Sequence, residues 1–247
     1  MTQGFDFSGK TVLITGGTRG LGRAMAQGFA EAGAQVIVSS RKAEACEATA
    51  AELRQLGARA EGIACHVGEW DQVDALAEKA WAAFDGIDVL INNAGMSPLA
   101  PSSVETSEAL FDKIVGVNFK GAFRLTALIG SRMAAGQGGS IIQISSTGAL
   151  RPQSYFATYA AAKAALNNVS LAFAKEFAPK VRVNVISPGS FETDISAGWT
   201  DREAMKARIG LRRFGDPQEI VATALYLAGD AASYTTGANI VVDGGAL

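Results

Sequence analysis

The sequence has few of the residues that mark secreted, metal-bound or membrane-embedded chains. It holds two cysteines, Cys46 and Cys65, and one histidine, His66, in 247 residues. Their spacing matches no metal-ligand pattern and makes no disulfide framework, so both thiols are expected to be reduced and no metal is expected. Charge of either sign is nearly balanced, with 22 Lys and Arg against 24 Asp and Glu, a formal net charge of −2 and a pI near 5.5. That excludes the strongly basic face of a nucleic-acid binder. No apolar run approaches the ~18 residues of a membrane span. The first ten residues hold no signal-peptide core, and a cytoplasmic protein is the expectation.

What is present in excess is glycine, 28 of 247 residues, against a typical ~7%. The excess gathers near expected strand ends, where backbone turns tightly or approaches a ligand. Short β-branched runs at 11–15, 35–39, 60–65, 89–92, 140–145, 181–186 and 240–242 alternate with helical patterns at 20–32, 43–56, 71–84, 107–135, 154–177 and 217–228. This alternation implies βαβ units, a parallel sheet, and right-handed crossovers that put helices on both faces. The expected fold is α/β, a doubly wound, mainly parallel seven-stranded sheet with its ligand crevice at the strands' carboxyl ends. The length suits a single domain over 1–247. The least regular stretch, 190–213, follows the sixth strand and is where a substrate lid is expected.

Two local patterns carry chemistry. Thr15-Gly-Gly-Thr-Arg-Gly-Leu-Gly22 follows the first strand and opens the first helix. Its small residues let backbone N–H groups and a positive helix end approach a pyrophosphate. That makes Gly16, Thr18, Arg19, Gly20, Leu21 and Gly22 candidate cofactor-binding residues. The second pattern is Tyr159-Ala-Ala-Ala-Lys163, in an alanine-rich helix that sends both side chains out on one face. An ammonium beside a phenol favours the phenolate, and such a tyrosine gives or takes a proton near neutral pH. Alone, the pair reads as an ordinary exposed helix pair; its company changes that.

Thr15 to Gly22, Asn92-Asn-Ala-Gly95, Tyr159-x-x-x-Lys163, Ser187-Pro-Gly189 and Val242-Asp-Gly-Gly245 stand in the order and spacing of the short-chain dehydrogenase/reductase family. The chain resembles that family over essentially its whole length. The resemblance implies a Rossmann fold and a nicotinamide cofactor. It makes Ser146, thirteen positions before Tyr159, the catalytic serine that binds the substrate oxygen. It makes Tyr159 the proton donor, and it has Lys163 lower the phenol's pKa while binding the nicotinamide ribose. Asn118 is implied to help hold a water joining the lysine to solvent, with a structural role as the alternative. Asn92 is expected to be structural. Asn93, Ala94 and Gly95 are implied to approach the cofactor, Val67 to offer backbone to the adenine, and Pro188, Gly189, Phe191 and Thr193 to bind near the nicotinamide end.

The second strand ends Val36-Ile-Val-Ser-Ser-Arg41-Lys42. Where NAD-preferring relatives commonly place an aspartate stands Ser40. Arg41 follows it, and Arg19 lies in the glycine loop. A guanidinium offers a planar fork to a 2′-phosphate, so NADP(H) is expected over NAD(H). His66 stands where many relatives carry an aspartate for the adenine amino group. A lone histidine is more often structural, and no catalytic role is expected for it.

Met96, Leu150, Gln153, Tyr155 and Trp199 are the substrate-facing candidates, with Leu99 and Phe191 beside them. This apolar and aromatic set suits a ketone or secondary alcohol of moderate size. The leading expectation is an NADP-dependent carbonyl reductase or alcohol dehydrogenase. A 3-oxoacyl-[acyl-carrier-protein] reductase is the alternative, with Lys120, Arg124, Arg151, Arg212 and Arg213 as its docking cations. A sugar or polyol dehydrogenase stands third. A cofactor-sensing binding protein is the non-enzyme alternative. The resemblance also implies a homotetramer, with a dimer as fallback.

Overall fold

The computed structural model describes residues 4–246. Seven strands form one sheet in the order β3-β2-β1-β4-β5-β6-β7. They are β1 Thr11–Thr15, β2 Gln35–Ser40, β3 Ala60–Ala64, β4 Val89–Asn92, β5 Gly139–Ile144, β6 Val181–Pro188 and β7 Asn239–Val242. Every pairing is parallel. Because β1 pairs with both β2 and β4, the strand order reverses there. A crevice opens at the carboxyl end of such a switch point.

The two faces follow from strand alternation. Val12, Ile14, Val36 and Val38 share one buried cluster with Met25 and Phe29 of α1 (Gly20–Glu31) and Leu225 of α9 (Val221–Ala228). Their neighbours Leu13, Ile37 and Leu90 point the other way. They join Leu76 of α3 (Trp70–Ala83), Ile129 of α5 (Gly121–Ala135) and Phe173 of α6 (Ala157–Glu176) in a second cluster. Helix α2 (Ala43–Gln55) lies against β2 and β3, where Gly62 has no Cβ to collide with the Cys46 backbone.

The helix expected over 107–135 is continuous but not uniform. Helix α4 (Glu108–Val115) passes into a π-helical segment, Gly116–Lys120, and then into α5. There the Gly121 N–H bonds back to Gly116 O, five residues away. One residue is thereby inserted into the ladder, a device common at functional sites. The expected helices at 154–177 and 217–228 each open with a short 3-10 turn, Ser154–Phe156 and Pro217–Ile220.

The stretch 190–213 is more ordered than its composition suggests. It carries two short helices, α7 (Asp194–Ala197) and α8 (Arg202–Lys206). Phe214 anchors them: Trp199 packs on its edge at 5.7 Å, and the Arg202 guanidinium lies over its ring at 4.9 Å. Arg202 also pairs with Glu192 at 2.5 Å. No helix among the described residues is long and apolar enough to cross a membrane. Among the same residues, no group of three or more His, Cys, Asp or Glu could hold a metal ion.

Candidate active site

The glycine loop forms a tight cradle at the carboxyl end of β1. Gly16 adopts φ +66°, and its N–H and that of Gly17 donate to Ser39 O at 2.7 and 3.3 Å. A Cβ on Gly22 would fall 2.2 Å from Gly16 O, so only glycine lets α1 start this close to the loop. The Asn93 amide donates to Thr15 O at 2.9 Å and to Gly16 O at 3.1 Å. Thr15 Oγ1 in turn accepts from the N–H groups of Asn93 and Ala94, both at 3.1 Å. Asn93 thus braces the cradle through its side chain. Helix α1 begins with no side-chain cap and no acidic residue in its first turn. Its first N–H groups and positive end are left for an anion. The Thr193 side chain comes within 3.4 Å of where a Gly20 Cβ would stand, so the segment after β6 closes over the cradle. These features fit a dinucleotide pyrophosphate.

At the end of β2, Ser40 is half-buried and held by a thiol that sequence reading gave no role. Its N–H donates to Cys46 Sγ at 3.1 Å, and its hydroxyl lies 3.4 Å from the same sulfur. Nothing in the spacing of Ser40 and Cys46 announces this contact; it arises because α2 packs its first turns on β2. Arg19 and Arg41 are exposed, and neither forms an ion pair among the described residues. After β3, Val67 O presses against Gly121, where a Cβ would approach to 1.9 Å.

Ser146, Tyr159, Lys163 and Asn118 meet on the other side of the crevice. Ser146 follows β5, and its Oγ accepts from Gly148 N at 3.0 Å. Ser145 turns the opposite way and donates to Lys163 O at 3.4 Å. Lys163 is 3% exposed, and its Nζ donates to Ile144 O at 2.7 Å. Burial pushes its ammonium down from 10.5 to about 8. The Tyr159 phenol is raised above its ordinary value by burial, with a hydrogen bond to Ser146 opposing the rise. The expectation that Lys163 lowers the phenol is therefore not met. The ammonium spends its hydrogen bond on the Ile144 carbonyl, and desolvation is the larger effect on both groups.

Asn118 lies in the π-helical segment, 1% exposed. Its Nδ2 donates to Met96 O at 2.9 Å and Ile114 O at 3.0 Å, and its Oδ1 accepts from Met96 N at 3.1 Å. The amide fastens the Met96 backbone to the helix. A Cβ on Gly95 would stand 3.0 Å from Asn118 Oδ1 and 3.5 Å from Lys163 Nζ, so Gly95 joins the two. Asn92 is structural: its amide donates to Thr126 Oγ1 of α5 at 2.9 Å.

Other candidates fall elsewhere. Phe191 is buried in the core with its ring against Gly215, which leaves only its backbone for a ligand. Trp199 spends one face on Phe214. Leu150, Gln153 and Tyr155 lie exposed. Ala100 N donates to Tyr155 O at 3.0 Å, which joins the segment after Met96 to the turn before Tyr159. Gly189 packs on Asp243, at 2.5 Å from its own would-be Cβ, and so fixes the loop after Pro188 against the tail.

A switch-point crevice with a pyrophosphate cradle on one side and a Ser–Tyr–Lys cluster on the other defines a dinucleotide-dependent oxidoreductase. Residues 16–246 match the family model described as enoyl-(acyl carrier protein) reductase. Dehydrogenase/reductase SDR family member 4 of Homo sapiens is 34% identical, over 99% of this chain and 90% of that protein. A 2-dehydro-3-deoxy-D-gluconate 5-dehydrogenase of Pseudoalteromonas atlantica is 38% identical, over 99% and 98%. The crystal structure of a short-chain type dehydrogenase/reductase from Mycobacterium marinum superposes with a TM-score of 0.93 at 36% identity, covering 98% of this chain and 96% of that one. The chain belongs to the short-chain dehydrogenase/reductase family and is an oxidoreductase that uses a nicotinamide cofactor.

Proposed function

We propose that the protein moves a hydride between NADP(H) and a carbonyl or secondary alcohol of moderate size. The convergence of Ser146, Tyr159 and the buried Lys163 beside the glycine cradle carries this reading. The nicotinamide, when bound, supplies or accepts the hydride. Ser146 positions the substrate oxygen, and Tyr159 delivers or removes the proton on it. With the phenol raised by burial, Tyr159 is held as the acid, which suits carbonyl reduction. Lys163, near pKa 8, exchanges protons close to neutral pH, and Asn118 fixes the Met96 backbone that walls the site. Gly16, Gly20 and Gly22 hold the pyrophosphate, and Arg19 and Arg41 hold the 2′-phosphate beside Ser40.

Carrier-protein docking is less well supported. Arg124 pairs with Asp74 at 2.6 Å and Arg213 with Glu219 at 2.6 Å, while Arg151 and Arg212 bond to the carbonyls of Ala246 and Ala207. A second reading, a sugar-acid or polyol dehydrogenase, is favoured by the gluconate-derivative dehydrogenase among its relatives. Oxidation of NADPH and NADH with ketones, a keto-sugar acid and a 3-oxoacyl thioester separates these readings. Turnover that is faster with NADPH, and abolished in Tyr159→Phe with cofactor still bound, is expected. Wild-type turnover in that variant would sink the assignment.

A further inference from the structure

We infer that Arg151 is a positioning residue for the reaction: by holding the carbonyl of Ala246 it fixes residues 243–246 as a strap that keeps the segment 209–211 against the turn carrying Ser146. This rests on the reading of Ser146 and Tyr159 as the reacting pair and adds what shapes the substrate side.

The path of the strap follows from register. Pro188 at the end of β6 stands opposite Val242 at the end of β7, and Ile144 at the end of β5 stands opposite Ile186. Asp243 therefore leaves the sheet at its carboxyl edge, the edge that Ser146 also leaves. Gly189 N donates to Val242 O at 2.9 Å, so the strap starts against the loop after β6. Gly244 and Gly245 follow at φ +68° and +74°, and Gly245 N donates to Asp243 Oδ1 at 2.9 Å. Two successive left-handed residues turn the backbone sharply, which is the work of the Asp-Gly-Gly run here.

The turned backbone has two neighbours. On one, Gly210 N donates to Gly245 O and Leu211 N to Gly244 O, both at 3.0 Å, and Ile209 forms an antiparallel bridge with Ala246. On the other, the Arg151 guanidinium donates to Ala246 O. Arg151 belongs by its backbone to the Ser146 turn: its N–H donates to Thr147 O at 2.9 Å, and Ala149 N–H to Ser146 O at 3.0 Å. Ala246 thus joins that turn to 209–211. Leu150 and Leu211, both exposed, stand one residue from Arg151 and two from Ile209. The junction brings them together as an apolar rim for the part of a substrate beyond its reacting oxygen.

Among the described residues, Arg151 makes the one side-chain hydrogen bond to the strap from outside it. Its loss frees one side of the strap and leaves the core untouched. A local opening of this kind shows in amide exchange at 210 and 211 rather than in global stability.

Arg151→Met keeps the apolar stem and loses the donors, while Arg151→Lys keeps a cationic donor. Hydrogen exchange of the Gly210 and Leu211 amides is measured beside NADPH binding and KM and kcat for a simple ketone. In Arg151→Met both amides should exchange about tenfold faster, the scale of one hydrogen bond to a charged group, while the Val183 amide keeps its wild-type rate. KM for the ketone should rise about fivefold, with kcat and NADPH affinity within about twofold of wild type, the pattern of lost uniform binding. Arg151→Lys should recover most of both losses. Unchanged exchange at 210 and 211, or a Val183 amide that speeds up equally, would overturn the inference alone. So would a KM that rises only for a carrier-linked thioester, which makes Arg151 a docking cation. A wild type that turns over no carbonyl with either cofactor would overturn the reading of the site, and the exchange rates would still decide the strap.

Discussion

Lys163 is held under opposed demands. Its hydrogen bond to Ile144 O wants an N–H donor, while a dry site disfavours the charge. The unfolded chain keeps this proton to about 10.5 and the folded chain loses it near 8. Between those values the unfolded state binds more protons, so this group's contribution to stability rises with pH through the window and is lowest below 8. Lys163→Met lacks the ionisation. Its stability relative to wild type should be most favourable below pH 8 and fall by about 3 kcal/mol by the top of the window. Urea denaturation on both sides of the window checks this, and a constant gap would mean that burial leaves the amine's ionisation unchanged. At the end of β2, Ser40→Asp with Arg41→Ile should shift the ratio of kcat/KM from NADPH toward NADH by about 100-fold, roughly two hydrogen bonds to a charged group. An unmoved ratio would count against Arg41. These residues were legible in the sequence because motif spacing names them. Their electrostatics were not. Whether a phenol four residues from an ammonium is lowered or raised depends on burial and on where the ammonium bonds, and Ile144 lies nowhere near the motif in sequence.

At the scale of elements, the parallel strands could be read directly, since β-branched runs buried on both faces leave one arrangement. The π-helical segment could not. Residues 107–135 show one helical pattern, and a single inserted residue barely disturbs it. The segment exists because Asn118 turns inward to serve Met96 N, Met96 O and Ile114 O. Asn118→Ala strips these buried groups of partners, so it should cost stability, about 3 kcal/mol, as well as turnover. Unfolding of the cofactor-free variant separates the two: lost turnover at wild-type stability would assign the amide to proton transfer alone. The irregular composition of 190–213 marks the stretch after β6 but hides its order, the two short helices it carries. Phe214 lies just past its end, and the edge-on contact of Trp199 and the placement of Arg202 over that ring have no local signature.

For the whole molecule, strand order leaves β3 and β7 as the two edges of the sheet. The β7 edge is the more apolar of the two. Val241 is half-exposed on the strand, Tyr234 is fully exposed in the segment before it, and Leu171 of α6 is half-exposed next to Gly237. An open strand edge flanked by such residues favours association. A second copy related by a two-fold axis would set the same surface against itself, and a further pair of contacts elsewhere gives a tetramer. Light scattering should then give four times the 25.6 kDa of one chain. Val241→Lys places a charge on the exposed β7 surface. It should lower the mass to half the tetramer's while hydride transfer per chain persists. A tetramer that survives the lysine would place the interface on other surfaces, and a 25.6 kDa wild-type particle would show that the exposed β7 edge stays uncovered.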